Sequence, residues 1–251
     1  MAVPGPRPRR DPIDLGARGR ARPRWPLRSA SSPTATPRDA DDHWAPILEE
    51  ARRGCRAQVS LLRDRAKNVL EKSAEELRAL REAGLGLLYI GPESGDDATL
   101  KAIAKGSTHA EHVAAAQAAH AAGMKVSVIV LLGVAGTARS REHAEATGDL
   151  LTAMDPEYIG ALTTTVVPKT PLHTLAGRGR FTLPTVAEML GELRTIVDRA
   201  APRDALFRTN HASNYLALGG RLPADRRRIV ALIDQALAGA ISLRPEWMRG
   251  L

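Results

Sequence analysis

The chain has 251 residues, enough for one large domain or two small ones. Its formal net charge of +8 is uneven, because residues 1–40 hold nine arginines and three acids, a local balance of +6 that leaves +2 for residues 41–251. Only 3% of the residues are aromatic, so stacking platforms for bases are scarce. The longest nearly apolar run, residues 126–135, is about half a membrane span. Charge, aromatic content and apolar run together predict neither a nucleic-acid nor a membrane partner.

Cys55 is the only cysteine, so the chain forms no internal disulfide. A protein without disulfides is typical of a reducing compartment, and the first residues show no charged segment followed by an apolar one, as a secretory signal would. We therefore expect a cytoplasmic location.

Residues 1–45 are rich in proline and arginine and have no hydrophobic periodicity, which predicts a disordered tail before a folded part at residues 46–251. Arginine outnumbers lysine thirty to six. Translation from an unintended start or reading frame is an alternative origin for such a tail.

After a predicted short helix at residues 46–53, strand-like and helix-like segments alternate. Three residue pairs are predicted to form capping boxes. In a capping box, a hydroxyl and a glutamate three residues later accept hydrogen bonds from the free backbone N–H groups at a helix start. The pairs are Ser73 with Glu76, Thr108 with Glu111, and Thr185 with Glu188. Five strands are predicted at residues 57–62, 86–91, 126–132, 158–165 and 205–209. The predicted helices cover residues 73–83, 97–104, 108–123, 140–154, 185–200 and 225–238.

Strands separated by helical crossovers indicate a parallel sheet. Four or five such units fit an open sheet or an incomplete barrel. The predicted fold class is α/β, with parallel strands in a partial (β/α) barrel.

Four segments lie at the carboxyl ends of the predicted strands. They are LGLLYIGPESGDD at residues 85–97, VIVLLGVAGT at 128–137, VVPKTPL at 166–172 and RTNHASNY at 208–215. In this order and spacing they resemble the radical S-adenosylmethionine (radical SAM) enzymes, over roughly residues 57–238. The resemblance implies a partial (β/α) barrel, of which the predicted strands match the third to the sixth. The first two strands have no counterpart, so the chain resembles an N-terminally incomplete member.

The resemblance implies S-adenosylmethionine as cofactor, cleaved reductively by a 4Fe-4S cluster to a 5′-deoxyadenosyl radical that acts on an unknown small-molecule substrate. The cluster requires three cysteines spaced CxxxCxxC, and Cys55 stands alone. His109 and His112 share one helix face, which we interpret as surface. We therefore expect no cluster in this chain and assign no catalytic or metal-binding residue. Whether it is an enzyme stays open, with a SAM- or nucleotide-binding module without redox chemistry, or a non-functional gene fragment, as alternatives.

Glu93 and Ser94 end the second predicted strand, where ligands bind in parallel α/β folds. By resemblance, both face the cofactor. Glu93 could instead compensate the positive end of the next helix. Ser127, polar within an apolar strand, could point into the barrel or bond a neighbouring backbone group.

Gly133 and Gly136 lie in a turn between a buried strand and a helix, where glycines allow close backbone approach. The resemblance places the adenine against this turn and against the backbone near Val167. Thr170 followed by Pro171 is also an ordinary helix start, which explains that segment without a ligand.

The segment RTNHASNY combines a cation, two amides and an imidazole in a loop after a strand. Such loops bind substrates and move protons. We predict substrate contacts for Arg208, Asn210, His211 and Asn214. The alternative is a polar loop whose side chains satisfy its own turns.

Overall fold

The computed structural model describes residues 61–64 and 66–249. The predicted tail, the predicted helix at residues 46–53 and Cys55 lie outside these residues. The strands are β1 (Leu61–Asp64), β2 (Leu87–Glu93), β3 (Lys125–Leu132), β4 (Tyr158–Thr163), β5 (Ala205–Arg208) and β6 (Gly219–Leu222). The helices are α1 (Ala66–Leu70), α2 (Ala74–Glu82), α3 (Asp97–Ala102), α4 (His109–Ala121), α5 (Ser140–Met154), α6 (Pro171–Gly177), α7 (Val186–Arg199) and α8 (Arg226–Leu237).

The strands form a single sheet in the order β1 to β6. Strands β1 to β5 pair in parallel, each with the next, whereas β5 and β6 pair antiparallel. The predicted parallel α/β fold class is confirmed. The antiparallel β6 was not predicted, because its four residues contain two glycines and show no apolar alternation.

All three predicted capping boxes are present. The hydroxyls of Ser73, Thr108 and Thr185 accept from the backbone N–H three residues on, and each glutamate accepts from the cap's own N–H. The Thr170–Pro171 helix start is also present, as the cap of α6. Local chemistry therefore determines where these four helices begin.

The sheet buries one face beneath helices. Along β3, Val126, Val128 and Val130 are fully buried, and along β4 so is Ala161. Helices α4, α5, α7 and α8 pack side by side over this face. The alternate residues of these strands lie on the other face and are partly exposed, apart from the nearly buried Ser127.

His112 corrects the surface interpretation of the His109–His112 face. His112 is fully buried, and neither ring nitrogen has a hydrogen-bond partner among the described residues. Burial lowers the pKa of His112 to about 4, so the ring is neutral at pH 7. His109 is half-buried, and its Nδ1 lies 2.9 Å from the Gly95 carbonyl oxygen.

No helix within residues 66–249 combines the length and the apolarity needed to cross a membrane.

The loop after β2 lies directly against the backbone of α5. A Cβ added at Gly95 would lie 2.1 Å from the carbonyl oxygen of Ala146 and 2.7 Å from the nitrogen of Thr147. The Gly95 N–H donates to Thr147 Oγ1 at 2.9 Å. Any side chain at position 95 would force the two segments apart.

We expect Gly95→Ala to lower the free energy of unfolding by about 3 kcal/mol, because the new methyl group collides with helix backbone that cannot rotate away. Urea denaturation followed by circular dichroism measures this. The matched control is Gly191→Ala in α7, where an added Cβ meets nothing within 4 Å and should stabilise the helix by about 1 kcal/mol. Equal stability of the two variants would contradict the packing described.

Candidate functional site

A cleft of about 750 Å³ lies on the open face of the sheet. Its lining comes from β2 to β5 and the loop after β5: Tyr89, Ser127, Ile129, Tyr158, Ile159, Gly160, Ala161, Leu162, Leu206, Arg208, Asn210, His211 and Ala212. The structure thus brings together Ser127, Arg208, Asn210 and His211 of the predicted site residues.

Strand register arranges the cleft lining in rows. Tyr89 pairs with Ser127, Ser127 with Tyr158, and Tyr158 with Leu206, which makes one row across four strands. Two residues further along, Ile129 pairs with Gly160 and Gly160 with Arg208. The first row carries the phenols of Tyr89 and Tyr158 and the hydroxyl of Ser127. The second row has no side chain at Gly160.

Tyr89, Tyr158 and Gly160 were not predicted as site residues. They lie within or at the start of strands, whereas most of the predicted site residues lie at strand ends or in the loops that follow. The signal for Tyr158 and Gly160 was the alternation in β4, where Ile159 and Ala161 are buried and Tyr158 and Gly160 are not.

Glu93 lies at the end of β2 with a left-handed backbone, φ 68°. Its Oε1 accepts from Lys105 Nζ at 2.9 Å, and a Cβ at Gly91 would lie 2.9 Å from the same oxygen. The Glu93 carboxylate therefore covers Gly91, which faces the open side of the sheet. Burial raises the pKa of Glu93, and Lys105 opposes this shift.

Ser94 lies on the helix-covered side rather than in the cleft. It is fully buried, its Oγ accepts from the Asp96 N–H at 3.0 Å, and it lies 2.8 Å from His143 Nδ1. Asp96 also accepts two hydrogen bonds from Arg139 at 2.9 Å, which hold the pKa of Asp96 well below its usual range.

The predicted adenine contacts are engaged within the fold. The Gly133 N–H donates to Glu192 Oε2 at 2.6 Å. A Cβ at Gly136 would lie 3.2 Å from the ring of Phe181, so that ring covers the glycine. The side chain of Val167 is half exposed, and its carbonyl accepts from the Thr170 hydroxyl at 2.7 Å.

Asn214 differs from the other predicted substrate residues because it is buried and fully bonded. Its amide donates to the carbonyls of Ala161 and Thr209, and its oxygen accepts from Thr163 at 2.9 Å. Asn214 thus ties the loop after β5 to β4, a connection between segments far apart in sequence.

Glu192 and His143 form a buried pair beneath the ends of β2 and β3. Their side chains are 1% and 0% exposed, and His143 Nε2 lies 3.8 Å from Glu192 Oε2. Burial raises the pKa of Glu192 to about 7 and lowers that of His143 to about 4. Glu192 Oε1 also accepts from Ser140 at 2.6 Å. The pair is therefore mostly neutral near pH 6.

This pKa of Glu192 predicts a specific pH dependence of stability. A carboxyl whose pKa is raised by folding stabilises the fold below its unfolded pKa and loses that contribution as the pH rises towards 7. Relative to Glu192→Gln, the wild type should lose on the order of 3 kcal/mol between about pH 4.5 and pH 7. Glutamine keeps both contacts, since its oxygen can accept from Gly133 and its amide can donate to Ser140.

Urea titrations of both proteins across this pH range measure the difference. His112 and His143 are common to both, so their opposite pH dependence largely cancels. Parallel stability curves for the two proteins would show that Glu192 ionises without penalty.

Residues 33–151 match the family model of the radical SAM superfamily. Over 113 residues the chain is 27% identical to the heme chaperone HemW of Bacillus subtilis (strain 168), a match that covers 45% of this chain and 29% of that protein. The chain thus spans less than a third of this curated relative.

Two solved structures are also similar. One is Elp3 of the archaeon Methanocaldococcus infernus with an N-terminal deletion, at 18% identity and a TM-score of 0.42, covering 50% of this chain and 30% of that one. The other is methylornithine synthase (PylB), at 19% identity and a TM-score of 0.43, covering 66% and 46%. Over residues 33–151, a little under half of the chain, this protein is therefore similar to the radical SAM superfamily.

Proposed function

We propose that the described domain is a small-molecule-binding module of this superfamily, and that its cleft holds the adenosyl portion of S-adenosylmethionine. The observation that carries the proposal is the row formed by Tyr89, Ser127 and Tyr158 along a cleft of about 750 Å³. Small-molecule sites have volumes of roughly 300–1,000 Å³ and combine apolar walls with a few polar groups. A nucleoside offers a flat base for the phenol rings and hydroxyls for Ser127.

The superfamily's 4Fe-4S cluster does not fit the donors of this chain. The cluster needs three thiolates, and the sequence contains one cysteine, Cys55. Among the residues that the structure describes, no group of three or more histidine, cysteine, aspartate or glutamate side chains could hold a metal ion. We therefore propose that this polypeptide by itself binds no such cluster and does not cleave S-adenosylmethionine.

The proposed nucleoside binding is weak. A ligand of this size gains at most about 0.3 kcal/mol per atom, which for roughly 27 non-hydrogen atoms corresponds to micromolar affinity. The Gly133 amide is already bonded to Glu192, and Phe181 covers Gly136, so neither contributes fully. Without a cluster to chelate the methionine part, adenosine and S-adenosylmethionine should bind about equally.

We expect saturation-transfer difference NMR to give dissociation constants in the millimolar range for both ligands, and Gly160→Val to weaken the signal. Gly160 lies on the cleft floor, where an added Cβ meets no atom closer than 3.8 Å, so the larger side chain projects into the cleft and narrows it. Gly191→Ala, outside the cleft, is the matched control. A dissociation constant below about 10 µM for S-adenosylmethionine alone, or binding unchanged in Gly160→Val, would refute the proposed site.

The absence of a cluster is tested separately. After anaerobic treatment with iron and sulfide and then desalting, we expect no visible absorbance from an iron–sulfur cluster, because one thiolate cannot retain it. Cys55→Ser should give the same spectrum as the wild type. A stoichiometric four-iron cluster that survives desalting would overturn this part of the proposal and indicate ligands shared between chains.

A further inference from the structure

Arg208 has no partner among the residues that the structure describes, although arginines near it in the sequence do. Within residues 66–249, its guanidinium makes no hydrogen bond or ion pair and lies exposed in the cleft. By contrast, Arg203 pairs with Asp155, and Arg221 with Asp204 at 2.7 Å. A planar guanidinium with free donors in a concave site matches the geometry of carboxylate and phosphate oxygens.

No acidic side chain competes for Arg208 among the residues that line the cleft. The carboxylate of Glu93 belongs to the opposite edge of the open face, where it is paired with Lys105 at 2.9 Å. Strands β2 and β5 are three strand steps apart, a distance of about 14 Å at the usual spacing. The Arg208 end of the cleft is therefore positively charged, with its donors directed to whatever enters.

His211 presents a further donor to the same end. The Ser213 backbone N–H donates to His211 Nδ1 at 3.1 Å, so Nδ1 is an acceptor. In the neutral ring this hydrogen bond assigns the proton to Nε2, which has no partner among the described residues. The amide of Asn210, also in the cleft lining, likewise has none there. Three neighbouring residues thus offer unpaired N–H groups.

The loop that carries these donors is held in place before any ligand arrives. Arg244 Nη1 lies within 3.2 Å of the carbonyl oxygens of His211, Ala212 and Asn214, to which it donates. Arg249 donates to the carbonyl of Ser213 at 2.8 Å. A preformed loop avoids the entropic cost of ordering the donors when a ligand binds.

Next to Arg208 the sheet surface carries no side chain, because the residue paired with Arg208 on β4 is Gly160. A ligand attached to the anion can therefore extend over Gly160 towards Tyr158 without meeting a side chain at that position.

We propose that Arg208, Asn210 and His211 form an anion subsite that binds the carboxylate or phosphate group of a small organic substrate. This assignment rests on the proposed function for the molecule at the tyrosine end, but the anion subsite is separable from it. The substrate class is a small organic acid or phosphate ester, with its body over Gly160 and its charged group at the end of β5.

The experiment titrates acetate and inorganic phosphate separately into ¹⁵N-labelled protein and follows the Arg208 Nε–H resonance. We expect saturable shifts for at least one of the two, and the stronger of the two identifies the anion. Arg208→Gln should weaken binding about tenfold or more, read from the backbone resonances of Asn210 and His211. Arg208→Lys keeps the charge but loses the planar guanidinium, so its affinity for the anion should lie between those of the wild type and Arg208→Gln.

The matched control is Arg227→Gln, an exposed arginine of α8 outside the cleft lining. If Arg227→Gln weakens binding as much as Arg208→Gln, or if neither anion shifts Arg208, the subsite is refuted. Adenosine titrated into the same samples separates the two proposals. Adenosine binding without anion binding overturns only the subsite, and Arg208-dependent anion binding without adenosine binding overturns only the nucleoside site.

Discussion

The close contact between Gly95 and α5 is the constraint on which the arrangement of the strand ends depends. Because position 95 has no Cβ, the loop after β2 lies directly on the helix backbone and donates to Thr147. This contact places Ser94 against His143, and His143 lies above Glu192, which in turn accepts from Gly133 after β3. The ends of two strands are thereby joined by one buried polar network.

Such a network stabilises only if its members are satisfied, because buried polar groups without partners are costly. Glu192 meets this requirement with two donors and a pKa near neutrality, so it need not carry a full charge in the interior. The same amide that Glu192 occupies, that of Gly133, is one that the superfamily resemblance assigns to adenine. In this structure that amide supports the strand ends, since it is bonded to Glu192.

One-sided burial of the sheet explains where the cleft lies. Helices cover the face that carries Val126, Val128 and Val130, so only the opposite face is open to a ligand. On that face, the identity of every second residue decides the chemistry. The two tyrosines and Ser127 are the residues of the proposed nucleoside end, and Arg208 belongs to the proposed anion end.

Some of the predicted site residues share the cleft and others do not, and the difference has one physical cause. Ser127, Arg208, Asn210 and His211 lie in the cleft, as expected from a polar residue in an apolar strand and from a polar loop after a strand. Ser94 and Asn214 do not, although they stand in the same motifs. Sequence proximity to a strand end does not reveal on which side of the sheet a side chain lies.

By itself, the sequence determined the alternation of strands and helices, the helix starts at the three capping boxes and the parallel α/β class. These depend on interactions within a few residues or on hydrophobic periodicity. The tertiary structure alone decided the antiparallel β6, the burial of His112, the bonding of Asn214 across more than fifty residues and the pairing of Glu192 with Gly133. Those outcomes depend on which distant backbone groups come within hydrogen-bond distance once the helices pack, and no local pattern encodes that distance.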